Sequence, residues 1–386
     1  MDLPDEFDQQ LTPHGRHLIA LTRNFAVETL QPTVAQASSW AQQELKSACA
    51  LGLSGIEVSE KLGGFGLPFA VRARVAEELS RVDFAFGFAL INHHNAIARI
   101  AAHGTDEAKA AFLPIMLRGD AIGCTAMSEP EAGSDFGALA TMARRTSDGW
   151  VLQGTKRWIA NAAGADVLLT FAQTDEQAGS REGIACFIVD ANVKGFERGP
   201  VESMPGLAAA GIGGFGLHAY HAQDKDLLYP PGQGFKQAMA GVNKARTHMA
   251  AMACGMVAAS LDGATRHART RKAFGKLIFS HQGLRWSLSD VATTLAAMRL
   301  LTYRAIRLID LDSRDAVMAA AMAKKYTAEQ CLPAIAACVQ AMGAIGMSAE
   351  SALARHLTAA PAIGIADGTS GMMRERIGAL LQKADC

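Results

Sequence analysis

The feature that narrows the fold most is a hydrophobic period that changes twice along one chain. Over residues 14–120 apolar side chains recur at helical spacing: Leu18, Leu21 and Phe25, then Leu45, Cys49 and Leu53. From about 121 to 230 short apolar runs at 166–172 and 183–189 alternate with glycines and charged turns. Phe215, Leu217 and Ala219 repeat every second residue, the period of a strand with one buried face. Helical spacing returns in segments at 234–271, 281–311, 315–343 and 372–383. The expected fold is therefore α+β and mostly α. It comprises an N-terminal helical domain (1–120), a middle β-domain of barrel or sandwich type (121–232) and a C-terminal helical bundle (233–386).

Glycine and proline punctuate this order. The Gly63-Gly64-Phe65-Gly66 cluster predicts a turn, and helices resume near Pro68, where proline suits a first turn. The glycine-rich stretch from Gly211 to Gly216 predicts a bulge or a mobile sheet edge. Pro333 is expected to bend or interrupt its helix.

A chain of 386 residues has room for two or three domains and a large core. Lys+Arg and Asp+Glu each number 37, so the net charge is near zero. Neither nucleic acid nor a membrane is expected as a partner. Cys49, Cys124, Cys186, Cys254, Cys331, Cys338 and Cys386 are odd in number and include no C-x-x-C pair, which fits a reduced, cytoplasmic setting. The acidic N-terminus has no apolar core and predicts no signal peptide, and arginines break the apolar stretch at 293–311. His93 and His94 are adjacent and cannot share one helix face, so no metal pair is expected. No G-x-G-x-x-G follows a strand; Gly211-Ile212-Gly213-Gly214 precedes one, so a Rossmann-type site is not expected.

Two segments carry the chemistry. Met127-Ser128-Glu129-Pro130-Glu131-Ala132-Gly133-Ser134-Asp135 gathers hydroxyls, carboxylates and a glycine where a loop can wrap a polar ligand. Ala366-Asp367-Gly368-Thr369 sets one carboxylate before a glycine turn. Taken with Trp158-Ile159, Arg271-Lys272-Ala273-Phe274-Gly275-Lys276, His281-Gln282 and Gln340-Ala341-Met342-Gly343-Ala344-Ile345-Gly346, they resemble the acyl-CoA dehydrogenase family. Singly each has a plainer reading, as core tryptophan, solvated helix face or helix cap. Their common order, from Gly63 to Ser370, resembles the family over nearly the whole chain.

The resemblance implies an acyl-CoA dehydrogenase-like fold with a C-terminal four-helix bundle. It implies FAD as cofactor, because no side chain can accept two electrons from an unactivated C–C bond. Met127, Ser128, Trp158 and Ala160 would then lie at the flavin ring, Ser134 near the ligand phosphates, and Arg271 on the pyrophosphate. Phe274 and Gln282 would hold the adenosine end, Gln340 and Gly343 would reach a neighbouring subunit's FAD, and Thr369 would contact the cofactor. The implied reaction is α,β-dehydrogenation of an acyl-CoA thioester. Asp367 would act as α-proton base and its N–H would help stabilise the thioester oxygen. Implied partners are acyl-CoA, an electron-transfer flavoprotein or similar acceptor, and further copies in a homotetramer or homodimer.

Three positions depart from the family pattern. Aspartate replaces glutamate at 367, shortening the reach by roughly 1.5 Å. Ala160 stands where a hydroxyl is usual, and no carboxylate precedes Arg246, since residue 245 is Ala245. For the substrate, Arg246 is expected near the CoA arm, Asn243 at the substrate where the family often carries an acidic residue, Ser134 and Gly368 at the ligand, and Phe86 and His94 at the acyl pocket. Phe86, where dicarboxylyl members carry arginine, argues against a free-carboxylate substrate. Alternatives stay open: a flavin oxidase of a nitroalkane-like carbon acid, a non-redox acyl-CoA lyase, or a nucleic-acid-binding flavoprotein.

Overall fold

The computed structural model describes residues 3–34, 39–175, 179–348 and 351–383. Contacts gather these into two compact units. A helical unit holds the described parts of Met1–Gln36, Pro68–Gly87 and Val242–Cys386, and a sheet unit holds those of Ala37–Leu67 and Phe88–Gly241.

In the sheet unit eight strands form one mixed sheet: β1 (Gly123–Ala126), β2 (Met142–Thr146), β3 (Gly149–Ile159), β4 (Val167–Gln173), β5 (Ile184–Asp190), β6 (Phe196–Val201), β7 (Gly213–Ala222) and β8 (Leu227–Tyr229). Their order is β6-β7-β3-β2-β4-β5-β8, with β1 parallel to β4. Strands β4 and β5 are apolar on both faces. Val167, Leu169, Phe171, Ile184, Cys186 and Ile188 enter one core cluster, and Leu168, Ala172, Ala185, Phe187 and Val189 another. That explains why these runs are continuously apolar instead of alternating.

Strand β7 corrects the expected alternation. Phe215 and Leu217 are buried, but Ala219 is exposed with φ 49°, and Tyr220 takes the inward face. Leu152 of β3 pairs with Tyr220 and Gly154 with Leu217, so two β7 residues oppose one on β3. This bulge shifts the inward register by one. The glycine-rich start of β7 reflects a close approach: a Cβ at Gly214 would lie 2.4 Å from the Lys156 carbonyl of β3.

In the helical unit, Pro13–Phe25 packs on Phe69–Ser80, for which Pro68 is the N-cap. Ala316–Met342 packs against Gln282–Asp310, Ala352–Ile363 and Ser370–Lys383. Within Gly234–Thr270 every residue from Met249 to Val257 is buried, so its alanines and methionines face core on all sides. The fully buried Arg74 binds Asp8 (2.8 Å), Glu77 (2.7 Å) and Glu78 (2.6 Å), and Glu77 also accepts from Arg299 (2.9 Å) and the Tyr303 hydroxyl (2.8 Å).

Two further expectations change. Ala316–Met342 runs unbroken through Pro333; packing against three other helices outweighs the roughly 3 kcal/mol that an interior proline costs. A helix absent from the sequence reading, Ala352–Ile363, is capped by the Ser351 hydroxyl and buries Leu353, His356, Ala359, Ala360 and Ile363. The stretch Ala316–Met347 is long and apolar enough to cross a membrane by composition. Here it lies in the helical unit and buries Ala319, Ala323, Lys324 and Thr327 among its neighbours.

Candidate active site

In the sheet unit the chain leaves β1 after Ala126, and the next residues are held from below. Glu129 is buried and its carboxylate accepts from Lys156 Nζ (2.7 Å), Ala140 N (2.5 Å) and Thr141 N (3.1 Å). Burial alone would raise the Glu129 carboxyl; the Lys156 charge and the hydrogen bonds instead hold it below its ordinary pKa. Lys156 Nζ also donates to the Met127 carbonyl (3.5 Å), and Arg157 N donates to the Ser128 carbonyl (3.1 Å). Met127 and Ser128 are half-buried, whereas Gly133, Ser134 and Asp135 are exposed.

The end of β3 is shaped by a second irregularity. Pairing to β7 shifts between Lys156 and Ile159, and Trp158 takes φ 58°. Trp158 stays 43 % exposed, with the Arg157 guanidinium 4.9 Å from its ring centre. Ala160 is buried, and its carbonyl accepts from Asn92 Nδ2 (2.8 Å). Asn161, φ 68°, donates from Nδ2 to the Ala89 carbonyl (2.9 Å) and the Gly123 carbonyl (3.3 Å), and accepts at Oδ1 from Trp40 Nε1 (3.2 Å). Asn92 Oδ1 accepts from Thr125 N (3.2 Å), while the Thr125 hydroxyl is buried with no hydrogen-bond partner among the described residues.

The two histidines are committed to the interior of this unit. His93 is buried, accepts at Nδ1 from Gly123 N (2.8 Å) and donates from Nε2 to the Met116 carbonyl (3.0 Å). Burial pushes its pKa down to about 4, against the pull of that carbonyl. His94 is also fully buried and accepts at Nε2 from Glu57 N (3.3 Å).

In the helical unit Asp367 lies between Ala352–Ile363 and Ser370–Lys383, at φ 56°, followed by Gly368 at φ 101°. The buried Arg246 donates from Nε to the Asp367 carbonyl (3.3 Å) and from Nη1 to Asn243 Oδ1 (3.3 Å). Burial lowers the Arg246 pKa, with Asp367 opposing the shift. The Thr369 hydroxyl accepts from Met372 N (3.3 Å) at the start of the next helix. Asp367, Gly368 and Thr369 are all half-buried. Phe86 is fully buried, its ring 5.8 Å from Phe25.

The remaining predicted residues sit at the surface of this unit. Arg271 precedes a small hairpin, Lys272–Ala273 with Lys276–Leu277, whose turn carries Phe274 at φ 52° and 95 % exposed. Gln282 opens the helix Gln282–Asp310 and is exposed. Gln340 is exposed near the end of Ala316–Met342, which Gly343 closes at φ 64°.

Four residues of these arrangements were missed from sequence: Lys156 and Glu129 as a buried pair, Asn92, and Lys324 beside the 367–369 turn. Signals existed for both lysines. Lys156 occupies an inward position on β3 with Leu152, and Lys324 falls on a helix face with Ala320, Thr327 and Cys331. Among the described residues, no group of three or more His, Cys, Asp or Glu side chains is arranged to hold a metal ion.

Residues 12–120, 124–218 and 232–382 match the N-terminal, middle and C-terminal domains of acyl-CoA dehydrogenase. The chain belongs to the acyl-CoA dehydrogenase family. It is similar to the mitochondrial short-chain specific acyl-CoA dehydrogenase of Sus scrofa, 34 % identical over 366 residues, which spans 94 % of this chain and 88 % of that one. Among solved structures it resembles butyryl-CoA dehydrogenase from Megasphaera elsdenii, with TM-score 0.92, 27 % identity and coverage of 99 % and 100 %. It also resembles PigA bound to FAD and proline, with TM-score 0.91, 25 % identity and coverage of 99 % of each chain. As a member of this family the protein is a flavoprotein oxidoreductase acting on CH–CH groups, mostly helical with a mixed sheet in the middle, and its cofactor is FAD. The residues present fit that group. The indole of Trp158 is left open to a planar ring, the Thr125 hydroxyl is buried with no hydrogen-bond partner among the described residues, and the exposed Ser134 offers a donor to an anion.

Proposed function

We propose that the protein removes the α-proton of an acyl-CoA thioester with the Asp367 carboxylate while the β-hydrogen leaves as hydride. One observation supports this reading: Asp367, which the motif resemblance sets at the family's base position, is held at positive φ with its carbonyl tied to the buried Arg246. Bound FAD supplies the two-electron acceptor that the side chains lack. Met127, Ser128, Trp158 and Ala160 would line its ring, Ser134, Arg271, Phe274 and Gln282 would take its phosphates and adenosine, and Thr369 would contact it.

The substrate side follows from the helical unit. Arg246 and Asn243 form a polar pair suited to the CoA arm, and the Asp367 N–H faces the work of stabilising the enolate-like oxygen. Phe86 carries no charge, which favours an uncharged acyl chain. A short acyl group such as butyryl is the first choice, in line with the substrates in the names of the similar enzymes. An electron-transfer flavoprotein is the expected acceptor. The exposed Phe274, Ile345 and Met347 favour a homo-oligomer in which Gln340 and Gly343 reach a neighbour's cofactor.

Aspartate at 367 also favours a second reading, oxidation of a small carbon acid such as a nitroalkane. One anaerobic experiment separates the two. Holoprotein is mixed with a panel of acyl-CoA thioesters and, separately, with nitroalkanes. The expected result is loss of the oxidised-flavin absorbance with butyryl-CoA or a neighbour in chain length, with enoyl-CoA as product. Bleaching by nitroalkanes alone overturns the dehydrogenase reading.

A further inference from the structure

Lys324 has no place in the roles drawn so far. It lies in the first half of Ala316–Met342 and is fully buried. A buried ammonium is costly unless its donors are satisfied. Here they reach the carbonyl of Ile363, the last residue of Ala352–Ile363, and the carbonyl of Gly368 (3.3 Å). The first contact places a cation at a helix C-terminus, where the backbone dipole favours it. The second lies one residue beyond Asp367. Arg246 donates to the Asp367 carbonyl itself. Three successive anchors, on the carbonyls of residues 363, 367 and 368, therefore fix a turn that holds one non-glycine residue at positive φ.

We propose that Lys324 is a positioning residue for the reaction: by bridging the Ile363 and Gly368 carbonyls it holds the Asp367 turn in its reactive conformation. The proposal rests on the reading of Asp367 as base. Lys324 transfers no proton and touches no substrate; it acts through the turn. Two charged groups face its ammonium. Asp367 favours the protonated form and Arg246 disfavours it, and with burial as the largest influence the Lys324 pKa is lowered to about 8. The clamp is therefore largely charged at neutral pH and loses charge as pH rises through about 8.

The test uses holoprotein and butyryl-CoA, with wild type, Lys324→Met, Lys324→Arg and Asp367→Asn compared by anaerobic single-turnover flavin reduction across pH. Lys324→Met should keep its bound FAD and its butyryl-CoA affinity yet reduce flavin about 10- to 100-fold more slowly, as expected for a misplaced base. Amide exchange at 364–369, read without substrate, should quicken. Lys324→Arg should restore most of the rate at pH 7 and move the alkaline decline upward from about 8. A wild-type rate in Lys324→Met, or an alkaline limb unmoved in Lys324→Arg, overturns the proposal. If Lys324→Met does not fold, the arginine profile alone decides. Should Asp367→Asn keep the wild-type rate, the base reading fails. Should it lose the rate while Lys324→Met does not, only the positioning role fails.

Discussion

The Lys156 ammonium meets the Glu129 carboxylate at 2.7 Å, with both side chains buried in the sheet unit. The pair ties the strand that leads to Trp158 to the loop that carries Met127 and Ser128. Two stretches of sequence proposed to face the flavin are thus joined by a buried ion pair.

Breaking that pair from one side should be expensive. Glu129→Gln leaves the Lys156 charge buried without its counter-ion, and a loss of about 3–5 kcal/mol is expected. The double variant Glu129→Gln with Lys156→Met should recover most of it. Urea unfolding, with the FAD content of each purified variant, measures both. A double variant no better than the single one would contradict a direct pairing.

Acid should destabilise the fold through buried neutral histidines. His93 is pushed down to about 4 and His356 to about 3, both by burial, against an ordinary value of 6.5. Folded-state pKa values below the unfolded one give stability that is complete above about 6.5 and lost as pH falls toward the folded values, each at up to about 1.4 kcal/mol per pH unit. Asp83, raised to about 6 by burial, works the other way between about 6 and 3.8 and offsets one of them there. Unfolding free energy should thus fall from pH 7.5 to 5, and His356→Met should flatten the slope. An unchanged slope in that variant would remove His356 from the linkage.

Asn161 is expected to resist substitution. It holds φ 68° and its side chain joins Ala89, Gly123 and Trp40. Asn161→Ala loses these bonds and keeps the strain, at about 2–4 kcal/mol. Asn161→Gly relieves the backbone and should lie between the alanine variant and wild type in thermal unfolding. A glycine variant less stable than the alanine one would show that the backbone conformation contributes nothing.

Gly368 tests the turn itself. At φ 101° an added Cβ is strained, and it would lie 3.0 Å from Met373 Cε. Gly368→Ala should cost about 1–3 kcal/mol of stability and slow flavin reduction by more than that loss explains. Stopped-flow rates at constant FAD occupancy check it.

The period of the apolar residues made the helix–sheet–helix order legible, because burial on one face leaves a direct trace in spacing. It failed where packing overrules local preference. Ala219 left the inward face because a bulge shifted the register, Pro333 stayed within a helix, and Ala352–Ile363 formed a helix that the spacing had not indicated. The order of the motifs pointed to the site, but the clamps beneath it did not follow from them. Lys156 and Lys324 read as ordinary charges until their burial is known, since sequence spacing shows which face a residue occupies and not which carbonyl its ammonium will meet.

The most direct measurement is the single-turnover rate of flavin reduction by butyryl-CoA in wild type and Asp367→Asn, both purified with full FAD. Removal of the base should slow reduction by about 10²- to 10⁴-fold while the thioester still binds. Reduction of the asparagine variant at the wild-type rate would contradict Asp367 as the group that takes the α-proton.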